Sequence, residues 1–176
     1  VPFTMNAARY ALIYKPGSSE GPGGPAKIVG LAADGKGVTT TFSGYLGQRL
    51  THLVPFTSGI QPHFFDYRAS TGDVRFFRFN LKGEGMTLLS SGKWWKGWTH
   101  FTPLTLGGKP YFLAYDSLHG YANVDRASVD GSGSTKIYGS TWTKGWTHFV
   151  PYVMGPKQFV LLYKGGTGEA KVVEVS

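Results

Sequence analysis

A unit of about 48 residues recurs four times along this chain, which restricts it to folds assembled from similar modules stacked on one another. The clearest landmark is Gly-Trp-Thr-His-Phe, present at Gly97 to Phe101 and again at Gly145 to Phe149. The register extends beyond the pentapeptide: Pro2, Pro55, Pro103 and Pro151 are each followed twelve residues later by a tyrosine, namely Tyr14, Tyr67, Tyr115 and Tyr163. Between Gly97 to Ser128 and Gly145 to Ser176, 14 of 32 aligned positions are identical, far above what average amino-acid usage gives by chance.

Within the third unit, four runs read as strands: Trp98 to Thr102, Tyr111 to Tyr115, Tyr121 to Ala127 and Thr135 to Thr141, here called a, b, c and d. Gly107-Gly108, Ser117 to Gly120 and Asp130-Gly131-Ser132-Gly133 separate them with turn chemistry. Asp34-Gly35-Lys36-Gly37 and Lys82-Gly83-Glu84-Gly85 repeat the c-to-d turn, and Gly72 and Gly168 match Gly120. The 26 glycines and 10 prolines interrupt the sequence too often for helices of ordinary length. Four antiparallel strands per unit is the arithmetic of a propeller blade, so the expected fold is all-β, a four-bladed β-propeller in one domain over 1–176. Its repeats are 1–48, 49–96, 97–144 and 145–176. The last repeat runs out before its d strand, giving an incomplete seam blade, and the first carries five extra residues within Pro16 to Pro25. A β-barrel or sandwich of internal repeats is the alternative, and the missing strand leaves an edge that a second subunit could fill.

Composition removes several function classes. Without cysteine there are no disulfides and no thiolate nucleophiles or metal ligands, and the compartment, secreted or cytoplasmic, stays open. No run approaches the apolar length of a membrane-spanning helix. The formal charge of +8 reflects only 10 acidic residues against 18 basic ones, and the bases are scattered rather than gathered on one stripe, which argues against nucleic acid. Paired carboxylates at recurring positions, Gly-x-Ser-x-Gly and phosphate-loop signatures are all absent, so catalysis is not expected and no cofactor is implied.

The candidate site residues cluster before strand a. Trp94, Trp95 and Trp142 lie beside Lys96 and Lys144 among Gly, Ser and Thr; Tyr45 is the weaker aromatic counterpart in the first unit. An indole can stack on the apolar C–H face of a pyranose while short polar groups take its hydroxyls. The competing reading is packing between blades. Trp98 and Trp146 belong to the same group, although Leu50 at their place in the second unit favours a core role. Asp66 and Asp116, beside the repeated tyrosines, are either acceptors for sugar hydroxyls or strand-end charges. His52, His100 and His148 occupy equivalent repeat positions; a repeated hydrogen bond is the simpler account, and a shared metal the weaker one.

Through Gly-Trp-Thr-His-Phe, the Pro-to-Tyr spacing and the Asp-Gly-x-Gly turns, the chain resembles the tandem-repeat β-propeller lectins, the tachylectin-like and tectonin-like families and related fungal and bacterial lectins. The resemblance is architectural and spans the chain. It implies a carbohydrate-binding protein with several similar sites, glycans or glycoconjugates as partners, a role in recognition or defence, and no chemistry. The alternatives are a protein-interaction module, such as an inhibitor or toxin-targeting scaffold, and polyanion or nucleic-acid binding.

Overall fold

The computed structural model describes residues 1–17 and 23–175. Most of the expected insert between Pro16 and Pro25 therefore lies outside the described residues. The chain is all-β, its four antiparallel sheets being the four blades of a β-propeller, and among the described residues a single short 3-10 turn occurs, at Leu81–Gly83. The first sheet holds β1 (Pro2–Met5), β2 (Ala8–Tyr14), β3 (Gly24–Leu31) and β4 (Val38–Leu46). The second holds β5 (His52–Ser58), β6 (Gln61–Arg68), β7 (Asp73–Phe79) and β8 (Met86–Lys93). The third holds β9 (His100–Leu106), β10 (Lys109–Tyr115), β11 (Tyr121–Ala127) and β12 (Ser134–Thr141). The fourth has only three strands, β13 (His148–Met154), β14 (Lys157–Tyr163) and β15 (Ala170–Val175), so the strand inventory read from the repeats holds.

Strand a differs from expectation in its limits. It begins at His100 rather than Trp98 and runs on to Leu106, past Pro103. Proline is tolerated because β9 pairs only with β10 and has one unpaired edge. Trp98 consequently sits in the lead-in to the strand.

A β-bulge recurs between strands c and d, where Thr41, Leu89 and Ile137 are the extra residues on the outer strand, each 48 after the last. The repeat thus fixes irregularities as well as strands. A bulge bends and twists the strand that carries it, and here it does so at the same point in three sheets.

By contacts the chain divides into two compact units, Val1–Lys96 with Val129–Ser132, and Gly97–Ser128 with Gly133–Ser176. In the first unit, Leu12, Ala26, Ile28, Leu46 and Leu50 pack on Phe64, Phe77 and Phe79, and Phe3 stacks on Phe79 with ring centroids 3.8 Å apart. In the second, Leu104, Leu113, Tyr115, Ala122 and Val124 pack on Trp146, Val160 and Leu162. The two clusters are built from equivalent repeat positions: Phe64 corresponds to Phe112 and Val160, and Leu12 to Leu113. Strand alternation sends each sheet's two sets of apolar side chains to opposite faces, and within each unit one such face packs on the neighbouring sheet.

The repeated tyrosines explain the Pro-to-Tyr spacing. Tyr14 donates its hydroxyl to the carbonyl of Gly47 (2.9 Å), Tyr67 to Trp95 (2.6 Å) and Tyr115 to Thr143 (2.7 Å). Each acceptor lies in the segment that leads out of strand d, so a tyrosine at the end of strand b anchors the passage towards the next sheet.

Candidate functional site

The tryptophans before strand a are placed by backbone geometry. Gly120, in the left-handed region at φ +81°, accepts from the Trp142 N–H at 2.7 Å, and a Cβ there would meet the Trp142 carbonyl. Gly72 does the same for Trp94 at 2.8 Å. Only glycine satisfies both the φ and the close approach, which is why these glycines recur with the tryptophans.

The two indoles then meet different surroundings. Trp94 is half-buried, packed edge-on against Phe65 (5.1 Å) and Phe76 (5.8 Å). Trp142 is half-buried too, tilted against Tyr115 at 6.3 Å, and it lines a cavity of about 630 Å³ with Leu106, Lys109, Tyr111, Val124, Ile137 and Tyr138. Val124 pairs across the strands with Tyr138, and Tyr111 lies one strand further on the same face, so one row of the third sheet supplies the wall. Val173 and Val175 of β15 close the other side.

At the equivalent place in the first unit the space is taken. There the turn Val129–Ser132 lies over the second sheet: Ser58 donates to the Val129 carbonyl at 2.7 Å, Ser90 donates to the Ser132 carbonyl, and Gly131 rests against His63. Ser58, His63 and Ser90 are the repeat counterparts of Leu106, Tyr111 and Tyr138. The larger Phe76 also fills volume that Val124 leaves empty beneath Trp142. Sequence equivalence therefore does not make the sites equivalent: the indole positions repeat, but the row beside Trp94 lies under the turn Val129–Ser132, while its counterpart beside Trp142 lines a cavity.

Trp95 is 54% exposed and Tyr45 62% exposed; Lys96 and Lys144 are exposed. Trp98 and Trp146 are 4% and 1% exposed, and the Lys164 ammonium lies 4.7 Å over the Trp146 ring. Asp66 is buried and forms a two-point ion pair with Arg75; burial raises its pKa and Arg75 opposes the rise. Asp116 accepts from the Leu118 and His119 amides at 2.9 and 3.2 Å and from the His119 imidazole at 2.6 Å. Burial pushes its carboxyl up, but these donors outweigh that and hold it below the ordinary value. Both carboxylates have their acceptor capacity committed to the fold.

The histidines share one structural pattern. His52, His100 and His148 each place Nδ1 within 2.8 to 3.0 Å of the preceding threonine hydroxyl. His100 also places Nε2 3.1 Å from the Thr147 carbonyl. Nε2 then carries a proton for that carbonyl, while the Thr99 hydroxyl donates its own to the Tyr115 carbonyl at 3.1 Å. Burial lowers the His100 pKa, and the bond to the Thr147 carbonyl opposes the fall. Among the described residues no group of three or more histidine or acidic side chains could hold a metal ion.

Two side chains central to the cavity, Tyr111 and Tyr138, are not among the candidates drawn from the sequence. Tyr111 has Tyr10, His63 and Phe159 as repeat counterparts, and Tyr138 has Phe42 and Ser90, so a recurring aromatic ring on strand b was the signal that could have pointed to the first. Only the bulge at Ile137 and the row of paired strands bring them to Trp142.

No family model and no curated protein matches the chain. Solved structures share its fold. A candidate 6-phosphogluconolactonase from Bacteroides fragilis aligns over 100% of this chain and 55% of its own, at 12% identity and a TM-score of 0.60. A protein from Lactobacillus plantarum aligns over 94% and 54%, at 13% and 0.52. The complex of the fission yeast SREBP-SCAP binding domains aligns over 98% and 51%, at 10% and 0.53. The chain thus spans about half the length of the structures it matches, and at these identities the likeness is one of fold. Among the described residues no helix is long and apolar enough to cross a membrane.

Proposed function

We propose that the chain is a carbohydrate-binding module whose principal site is the cavity at Trp142. The observation that carries this reading is an aromatic wall of Trp142, Tyr111 and Tyr138 around about 630 Å³, a volume suited to a sugar ring or two. The indole and the apolar floor of Leu106 and Val124 take the C–H face, while the Tyr111 and Tyr138 hydroxyls and the Lys109 ammonium take the sugar hydroxyls. The exposed Trp95, with Lys96 beside it, is a shallower second platform, and Tyr45 a third. Weak, unequal sites of this kind gain strength on clustered glycans through avidity. Trp98, Trp146, Asp66 and Asp116 serve this reading as the frame that holds the platforms in place.

The likeness to a candidate 6-phosphogluconolactonase brings a hydrolytic reading into comparison. Among the described carboxyls Asp125 stands out, its pKa pushed up to about 6 by burial, the range of a general base. It does not line the Trp142 cavity, and its nearest charged influence is Lys136 across the strand pair. Binding without turnover is the better-supported activity.

A glycan array followed by calorimetry with the best hit tests the proposal. Trp142→Ala is expected to abolish binding in the cavity and Trp95→Ala to reduce only avidity on multivalent ligand. Absence of any glycan signal, or binding untouched by Trp142→Ala, overturns it. A steep loss of affinity with salt would identify a polyanion ligand instead, and consumption of 6-phosphogluconolactone would identify an enzyme.

A further inference from the structure

The fourth sheet presents to solvent the face that the third sheet buries. Thr102, Tyr115 and Val124 are 5%, 0% and 8% exposed, packed towards the fourth sheet; one repeat later, Val150, Tyr163 and Val172 are 52%, 38% and 52% exposed. Val150 and Val172 flank Leu161 in one cross-strand row, so the exposed residues form a continuous apolar strip. The Tyr163 hydroxyl has no hydrogen-bond partner among the described residues, whereas Tyr14, Tyr67 and Tyr115 each anchor a lead-in segment. The strip is built to receive the lead-in and front face of another sheet of this repeat.

The first sheet exposes the complementary surface. Ile13 and Leu31 are 54% and 40% exposed, while their repeat counterparts in the third sheet, Ala114 and Ala127, are 3% and 5% exposed. Ile13 and Leu31 lie on the face opposite the core residues Leu12 and Ile28, as strand alternation requires. One chain therefore carries both halves of the interface that its own repeats form internally.

We infer that a second copy of this chain docks head to tail, with the exposed face of its first sheet against the Val150–Tyr163–Val172 face of the fourth. The contact is heterologous and continues an interface already formed between successive sheets inside each unit, so it needs no new recognition chemistry.

Sedimentation velocity over a concentration series, on the whole chain, tests this. The wild type is expected to self-associate, and Ile13→Glu and Val172→Glu are each expected to sediment as single copies with unchanged circular dichroism. Mixing the two variants is expected to restore a one-to-one pair, because each supplies the face the other lacks. A wild type that stays monomeric overturns the inference. So does self-association that persists in Ile13→Glu alone, which would mean that two fourth sheets meet face to face.

Discussion

At the residue scale, much of the repeat signature turns out to be hydrogen-bond wiring. Replacing Tyr115 with Phe removes the bond to the Thr143 carbonyl and the acceptor of the buried Trp146 amide, for an expected loss of about 1 kcal/mol in urea denaturation. The same change at Tyr163, made in the Val172→Glu background to keep the chain a single copy, is expected to leave stability unchanged. Asp125 gives a pH signature. Its folded pKa lies at about 6, above the unfolded value, so the native state holds a proton that the unfolded chain gives up; stability then falls as pH rises from about 4 to 6. Asp125→Asn is expected to gain about 1 to 2 kcal/mol at pH 7, allowing for its partial exposure, and nothing at pH 4. His63 and His100 act with the opposite sign, since burial lowers both and the unfolded chain takes up protons that the fold refuses below the ordinary imidazole range. Comparison of the variant with wild type at each pH isolates the carboxyl from the imidazoles.

At the scale of elements, the Gly-Trp pairs decide where an indole is presented. Gly120→Ala is expected to cost about 1 to 3 kcal/mol through its left-handed backbone and to displace Trp142, so that sugar affinity falls with stability. The turns, the strand count and the missing last strand were all legible in the sequence because glycine, proline and period-two alternation report directly on backbone geometry. The limits of strand a were not, since Trp98 continues the apolar pattern although the ladder begins only at His100. Nor was the inequality of Trp94 and Trp142, which depends on a turn 35 residues after Trp94, Val129–Ser132, settling over the second sheet. Contacts between residues so distant in sequence leave no local trace. Asp125 shows the same dependence on partners distant in sequence: its neighbour Arg126 points to the opposite face, and Lys136 and Ser134 on the paired strand influence it instead.

At the scale of the whole molecule, modules made to the same pattern are used for two purposes. Most of their apolar surface joins one sheet to the next, and the aromatic residues left over at the lead-in segments are available to ligand. The account predicts that these uses are separable: Val172→Glu removes self-association but leaves the affinity of one site for monosaccharide unchanged, while Trp142→Ala does the reverse. Binding to clustered glycan is expected to drop in both, in the first through lost avidity and in the second through the lost site. The most direct test of the central claim uses the five tryptophans as reporters in a single spectrum. In a nitrogen–proton correlation spectrum recorded during titration with the best-binding sugar, the Trp142 indole signal is predicted to shift and saturate, Trp95 to move weakly, and the buried Trp98 and Trp146 to stay in place. A titration in which the Trp142 signal does not move, while sugar is demonstrably bound, would contradict it.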